Sequence, residues 1–208
     1  MFGVDEAGKG PVLGSMFAAC VKGEEPALPE GVVDSKRLSP SRREELDSAI
    51  RDRFAVSVAE VPVARIDGEE DMNTLTVAAQ AEALAEVARE GDEGIVDAGD
   101  VDAARFGRRV ADAVEVPVTI TAEHGADDRY PIVAAASIVA KVARDAHVAE
   151  LEATYGEVGS GYPSDPTTRE FLRAYVGEHG ELPACARASW ATSRDVLAAA
   201  EQQSLDSF

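Results

Sequence analysis

Apolar positions along this chain alternate between the two-residue period of strands and the 3.6-residue period of helices. A short apolar run at Gly3-Val4 carries two adjacent acids, Asp5 and Glu6, into the turn Gly8-Lys9-Gly10-Pro11. Val12 to Val21 reads as a second strand, the hairpin partner of the first, and Glu24 to Pro29 as a loop with two prolines. Ser39-Pro40 is an N-cap followed by proline at the first helical position, which predicts a helix to about Arg53. Phe54 to Ala59 alternates apolar with small or polar residues and predicts a third strand. Asp71 to Asn73 caps a long Ala-rich helix that stops near Gly91. Ile95 to Ala98 is a short strand carrying an acid, Asp97. A helix around Asp102 to Ala113 and a strand from Val116 to Ala122 follow. Pro131 opens a helix whose buried face is marked by Ile132, Ala135, Ala136, Val139, Val142 and Ala143. Asp165 caps a helix that begins at Pro166, and a last helix spans roughly Ala188 to Gln202.

Two antiparallel strands, a third, and then β-α-β units predict an α/β fold. Its mixed sheet has about five strands and carries helices on its faces. From about Pro163 onward the chain is all helix. The expected organisation is therefore a sheet domain over residues 1–162 and a helical region over 163–208.

Composition changes the picture in one respect. Asp and Glu number 39 against 20 Lys and Arg, leaving a formal charge of −19, and only Lys9, Lys22, Lys36 and Lys141 are lysines. Such a balance ordinarily repels nucleic acid. Many acids, few lysines and many small apolar residues instead suggest a protein from a high-salt cytoplasm. There the Debye length falls to roughly 3 Å at 1 M, and net charge stops guiding the choice of partner. An acidic mimic of DNA has the same composition. Cys20 and Cys185 are too isolated for a disulfide framework or a zinc site, which fits a reducing compartment. No apolar run approaches the roughly 20 residues of a membrane span, so a soluble cytoplasmic protein is expected.

The candidate chemistry lies in acids at strand ends and helix starts: Asp5, Glu6, Asp97 and Asp127. In an open mixed sheet, neighbouring strand ends gather in one crevice. Converging carboxylates without His or Cys favour a hard cation, Mg²⁺ or Mn²⁺. Successive strand residues point to opposite faces. Asp5 and Glu6 can therefore share a site only if the strand is already breaking into its turn, which Gly8 and Gly10 allow. Taken singly, Asp97 also reads as a helix cap or solvated strand end, and Asp127 as an acid favoured at a helix start.

Six stretches together are similar to ribonuclease HII in its archaeal form. They are Asp5-Glu6-Ala7-Gly8-Lys9-Gly10-Pro11, Asp34-Ser35-Lys36, Val96-Asp97-Ala98, Ala122-Glu123-His124-Gly125-Ala126-Asp127, the helix segment from Ala134 to Asp145, and Gly159-Ser160-Gly161-Tyr162-Pro163-Ser164-Asp165-Pro166. The resemblance runs in order from the first residues to Trp190. It implies a ribonuclease H-like catalytic domain with a C-terminal helical appendage. It also implies hydrolysis of RNA in RNA–DNA hybrids, and of single ribonucleotides in duplex DNA, leaving 5′-phosphate and 3′-hydroxyl ends. On that resemblance Asp5, Glu6, Asp97 and Asp127 bind two divalent cations, Mn²⁺ or Mg²⁺. Gly8-Lys9-Gly10 matches a loop whose backbone reads 2′-hydroxyls, and Tyr162 matches a tyrosine that senses the RNA–DNA junction. The chain departs from the family at Lys9, where arginine is usual, and at Gly125, where lysine is usual.

Lys36, Lys141 and Arg144 fall within these motifs as candidate phosphate contacts. His124 is a candidate base or a structural loop residue, His147 and His179 read as surface residues, and Trp190 as packing for the helical region. Gln202, Leu205 and Phe208 resemble a peptide that docks on sliding clamps. A monomer is expected. The competing readings are a nuclease of the same fold acting on DNA junctions or structured RNA, and a non-catalytic acidic module that binds hybrids or mimics DNA.

Overall fold

The computed structural model describes residues 1–32 and 38–205, with the backbone alone at 203–205. Asp34, Ser35 and Lys36 of the sequence motifs, and Phe208 of the tail, lie outside the described residues, as does the side chain of Leu205. Strands β1 (Phe2–Ala7), β2 (Met16–Lys22), β3 (Ala55–Val61), β4 (Glu93–Asp97) and β5 (Thr119–Glu123) alternate with helices. These are α1 (Pro40–Arg51), α2 (Val63–Ile66), α3 (Met72–Val87), α4 (Ala103–Ala113), α5 (Pro131–Tyr155), α6 (Pro166–His179) and α7 (Ala191–Leu205). Short 3₁₀ turns occupy Glu25–Ala27 and Ala126–Asp128.

The chain packs as two compact units. The first comprises residues 1–9, 16–61 and 71–145, and the second 10–15, 62–70 and 146–208. The first holds a five-stranded sheet in the order β3-β2-β1-β4-β5. β1 pairs antiparallel with β2 and parallel with β4, and β4 pairs parallel with β5. The expected mixed α/β sheet is therefore present, with helices on both faces. α3 packs on β1, β2 and β3, and α4 on β5 and α3. The opposite face is covered by α1 and the N-terminal part of α5. There Leu46 and Ile50 join Ala19, Val21, Ile132, Val133, Ala136 and Val139 in one buried cluster.

Local chemistry accounts for the element ends. Ser39 caps α1, Asp71 caps α3 through the Asn73 and Thr74 amides, and Asp102 caps α4 through the Arg105 amide. Gly3 allows the closest approach in the sheet, since a Cβ there would lie 2.5 Å from the backbone carbon and oxygen of Ile132. The second strand begins at Met16 rather than Val12. Gly14 bends the chain at φ +75, and Leu13 forms an isolated bridge with Ala186 instead of pairing in the sheet.

The second unit has its own core of Val12, Leu13, Val158, Leu172, Cys185 and Ala186. Tyr155, Phe171 and Tyr175 meet edge-on or tilted at 5.9–6.1 Å beside it. Arg187 is fully buried there. Its Nε donates to Gly14 O at 2.9 Å, and its guanidinium lies 4.9 Å from the Trp190 ring centroid. His147, expected at the surface, is instead half-buried. Its Nε2 accepts the Ser15 amide at 3.2 Å.

Candidate active site

β1 pairs parallel with β4 as far as Val4 and Val96, and the next residue on each strand is an acid, so Asp5, still paired with Ala19 of β2, and Asp97 stand at neighbouring strand ends. Asp97 in turn pairs with Glu123 at the end of β5. The Asp97 Oδ1 accepts the Ala126 amide at 2.6 Å, which fastens the end of β4 to the 3₁₀ turn carrying Asp127. Asp5 and Asp127 are buried, while Glu6 and Asp97 are half-buried.

The pleat sends Asp5 and Glu6 to different helices. Asp5 lies on the α5 side, beside Ser137, and Glu6 on the α3 side, where Gln80 Nε2 donates to its Oε2 at 2.6 Å. The same Gln80 nitrogen donates to the Asp97 carbonyl at 2.9 Å. Two residues that point apart along the strand are thus both held at its end, each by a helix on its own face. Lys9 Nζ bonds Asn73 Oδ1 at 3.2 Å and also the Gly99 carbonyl. Its ammonium therefore turns back toward Glu6 and the end of β4, and the β1 turn is tied to the β4 turn.

Burial raises the Asp5 pKa well above the ordinary carboxylate range, and the charges of Glu6 and Asp97 add to the effect. Burial likewise pushes Glu6 up to about 7, against the lowering effects of the Gln80 hydrogen bond and the Lys9 charge. Ser137 eases the charge on Asp5. Its buried hydroxyl lies beside Asp5 in a loose hydrogen-bonding position, short of a well-formed bond. Both acids bind protons more tightly when folded. The folded metal-free protein therefore retains protons that the unfolded chain releases between pH 4.5 and about 7, and stability falls as pH rises through that window. In chelator, Tm is expected to be lower at about pH 8 than at about pH 5.5, measured by calorimetry. Equal values would contradict the buried arrangement. Asp92, Asp100 and Asp165, held below their ordinary 3.8 by hydrogen bonds, act only at lower pH.

Among the described residues, no three acidic, His or Cys side chains close on one point as a finished metal cage. Buried carboxylates that repel one another are expected to stay apart without a cation. The donor set nevertheless fits a hard divalent ion, being all oxygen. On one face Gln80 Oε1 is buried with no partner among the described residues, and on the other the Ser137 hydroxyl lies beside Asp5.

Gly8 is buried at φ +89, where a side chain would strain the backbone. Gly10 is exposed with an ordinary φ, and a Cβ there would lie 3.6 Å from Tyr162 Cε1, an unstrained contact. Gly8→Ala is expected to cost about 1–2 kcal/mol of stability, whereas Gly10→Ala should fold like the unaltered chain. Paired denaturation curves check this. Tyr162 is 45% exposed, on a loop held by Asp165, which accepts the Ser160 amide at 2.6 Å and the Thr167 amide at 3.0 Å. Gly161 anchors the same loop by accepting the Val12 amide at 2.8 Å. Trp190 does more than pack, because its Nε1 donates to Gly10 O at 3.3 Å.

Of the remaining candidates, Lys141 is half-buried and Arg144 buried on α5. His124 is exposed at the end of β5, with its carbonyl accepting from Arg129 at 2.6 Å. Gln202 is exposed on α7. Gly125 occupies a left-handed conformation at φ +61, which glycine adopts more readily than the lysine usual in relatives. Sequence reasoning missed Gln80, Asn73 and Gly99. The available signal was Thr76 and Gln80, two polar side chains four residues apart on the buried face of an otherwise Ala- and Leu-rich helix.

A ribonuclease H-like sheet with acids at the ends of β1 and β4 defines a class of nucleic-acid hydrolases. Residues 2–193 match the family model described as Ribonuclease HII. A Ribonuclease HII of Halobacterium salinarum is 69% identical over 209 residues, covering 100% of this chain and 99% of that protein. The ribonuclease H2 of Pyrococcus horikoshii OT3 has a similar structure, with a TM-score of 0.90 at 38% identity over 97% of this chain and 98% of that one. The Ribonuclease HII of Archaeoglobus fulgidus, solved as a complex with PCNA, gives 0.83 at 39% identity over 91% and 94%. The chain belongs to the ribonuclease HII family. It is a type 2 ribonuclease H, a hydrolase with endonuclease function. No helix among the described residues is long and apolar enough to cross a membrane.

Proposed function

We propose that this chain cuts the RNA strand of RNA–DNA hybrids and the 5′ side of single ribonucleotides embedded in duplex DNA, leaving 5′-phosphate and 3′-hydroxyl ends. The observation that supports the reading is the placing of Asp5, Glu6 and Asp97 at the neighbouring ends of β1 and β4, where burial first, and the charges of neighbouring acids in addition, raise the pKa of Asp5 and Glu6. A repulsive carboxylate cluster is costly unless cations neutralise it. Asp5, Glu6, Asp97 and Asp127 would hold two divalent ions, Mn²⁺ or Mg²⁺. Such a pair supplies positive charge to the attacking and leaving oxygens of a phosphodiester.

The protein's own residues do the rest. The main chain at Gly8-Lys9-Gly10 reads the ribose 2′-hydroxyl, the group that separates RNA from DNA at one nucleotide. The Lys9 ammonium, tied to Asn73 and Gly99, fixes that loop from behind. The backbone therefore keeps its role although lysine replaces the usual arginine. Tyr162, exposed and in reach of Gly10, packs on the sugar at the junction. Lys36, Lys141 and Arg144 remain proposed phosphate contacts. The tail bearing Gln202, Leu205 and Phe208 would dock on a sliding clamp. Support for this comes from those residue types and from the Archaeoglobus fulgidus relative solved with PCNA.

Parallel assays on all-DNA, all-RNA, hybrid and single-ribonucleotide duplexes in high salt test the substrate class. Turnover of the hybrid and the single-ribonucleotide duplex is expected, with none of all-DNA. Preferential cutting of DNA junctions or structured RNA would replace this reading with its nearest competitor. Absence of Mn²⁺- or Mg²⁺-dependent turnover at every salt concentration would favour a binding module.

A further inference from the structure

Gln80 is fully buried on the sheet-facing side of α3, among residues that are mostly apolar. Its single amide nitrogen donates to Glu6 Oε2 at 2.6 Å and to the Asp97 carbonyl at 2.9 Å. Both amide protons are thereby used, and both acceptors belong to strand ends that carry acids. The orientation of the amide is set by chemistry, because the flipped form would place its oxygen against a carboxylate and a carbonyl, neither of which can donate. The amide oxygen Oε1 is buried without a partner among the described residues. Leaving a buried acceptor unsatisfied is destabilising, a cost that a methionine or leucine at this position would avoid. The value of glutamine here therefore lies in what its nitrogen holds.

We propose that Gln80 is a positioning residue for the divalent-cation site. It engages one oxygen of Glu6, leaves Oε1 as the oxygen offered to the cation, and locks β1 to the end of β4 at the level of Asp97. The inference rests on the cation-site reading given under Proposed function. Lys9 attracts Glu6 through its charge, whereas the Gln80 hydrogen bond fixes direction. A neutral donor is what this place requires. A second ammonium would compete with the cation, and a carboxylate would add to the repulsion between Asp5 and Glu6.

The test is calorimetric titration of the full chain with Mn²⁺ in high salt, comparing the unaltered protein, Gln80→Met and Asp97→Asn. Gln80→Met removes the donor at similar volume. It is expected to bind Mn²⁺ about 10-fold or more weakly, the usual scale for losing a group that orients a metal ligand. The KM for hybrid should be unchanged, and kcat should fall at limiting Mn²⁺ and recover at saturation. A Gln80→Met protein that binds Mn²⁺ as tightly as the unaltered chain, while Asp97→Asn does not, overturns the role of Gln80 alone. If Asp97→Asn also binds Mn²⁺ normally, the cation-site reading itself falls. Should Gln80→Met fail to fold, the unaltered protein decides by NMR. The Gln80 side-chain amide resonances must shift on Mg²⁺ titration, and resonances that stay in place overturn the proposal.

Discussion

Asp97→Asn is expected to lower cleavage of an RNA–DNA hybrid by about 10³-fold or more while the protein stays folded, since losing charge stabilisation worth several kcal/mol has that effect on rate. The substitution is informative because it separates charge from scaffold. Asparagine keeps an oxygen able to accept the Ala126 amide, the 2.6 Å bond that ties β4 to the turn carrying Asp127. The Asp97 carbonyl also remains available to Gln80. What disappears is one negative charge beside Asp5 and Glu6, both of which that charge pushes upward. Metal-free Asp97→Asn should therefore melt no lower than the unaltered chain at about pH 8. A fully active variant would remove Asp97 from the site. An inactive variant with a much lower Tm would show that its role is structural.

Gly3→Ala is the second large effect expected, this time on stability. The added methyl would meet the backbone of Ile132 at 2.5 Å and the Val133 nitrogen at 2.6 Å, and neither is a flexible side-chain end. β1 must move from α5, or α5 from β1. Overpacking against rigid backbone costs about 3 kcal/mol, at the upper end of the usual range. For a chain of this size that corresponds to a Tm loss of roughly 6–12 °C. The displaced segment carries Asp5 on one side and Ser137 on the other, so activity should fall along with stability. Thermal unfolding in molar KCl provides the measurement. A variant that melts within about 1 °C of the unaltered chain would contradict the close approach of β1 and α5.

Much of this architecture is legible in the sequence, for identifiable reasons. Ser39, Asp71, Asp102 and Asp165 each cap the helix that their position predicts, because a short polar side chain before an apolar run satisfies otherwise unpaired amides. The acids at the ends of β1 and β4 can be read from strand-then-turn punctuation. What the sequence leaves open is how Asp5 and Glu6, on opposite faces, are both held at one strand end. The answer needs α3 and α5 on opposite sides of the sheet, a tertiary fact with no local signature. Gln80 is hidden for the same reason, since a polar residue in an Ala-rich helix looks like surface until the helix is docked. α2 is only four residues long, too short for a periodic pattern to register. A change to all-helix composition places the domain limit at Tyr162. The compact units divide after Lys9 and within α5, with residues 10–15 and 62–70 belonging to the second. Composition looks local along the chain, whereas compactness follows which distant segments pack together.

In the proposed function, carboxylates at the ends of β1 and β4 act on a phosphodiester next to a ribose. The most direct measurement maps the cut on an end-labelled DNA duplex carrying one ribonucleotide, with Mg²⁺ and Mn²⁺ compared in high salt. The expected result is a single cut on the 5′ side of the ribonucleotide, with 5′-phosphate and 3′-hydroxyl products and no cut in the all-DNA control. A cut 3′ of the ribonucleotide, a cyclic phosphate product, or equal cutting of the control would contradict it.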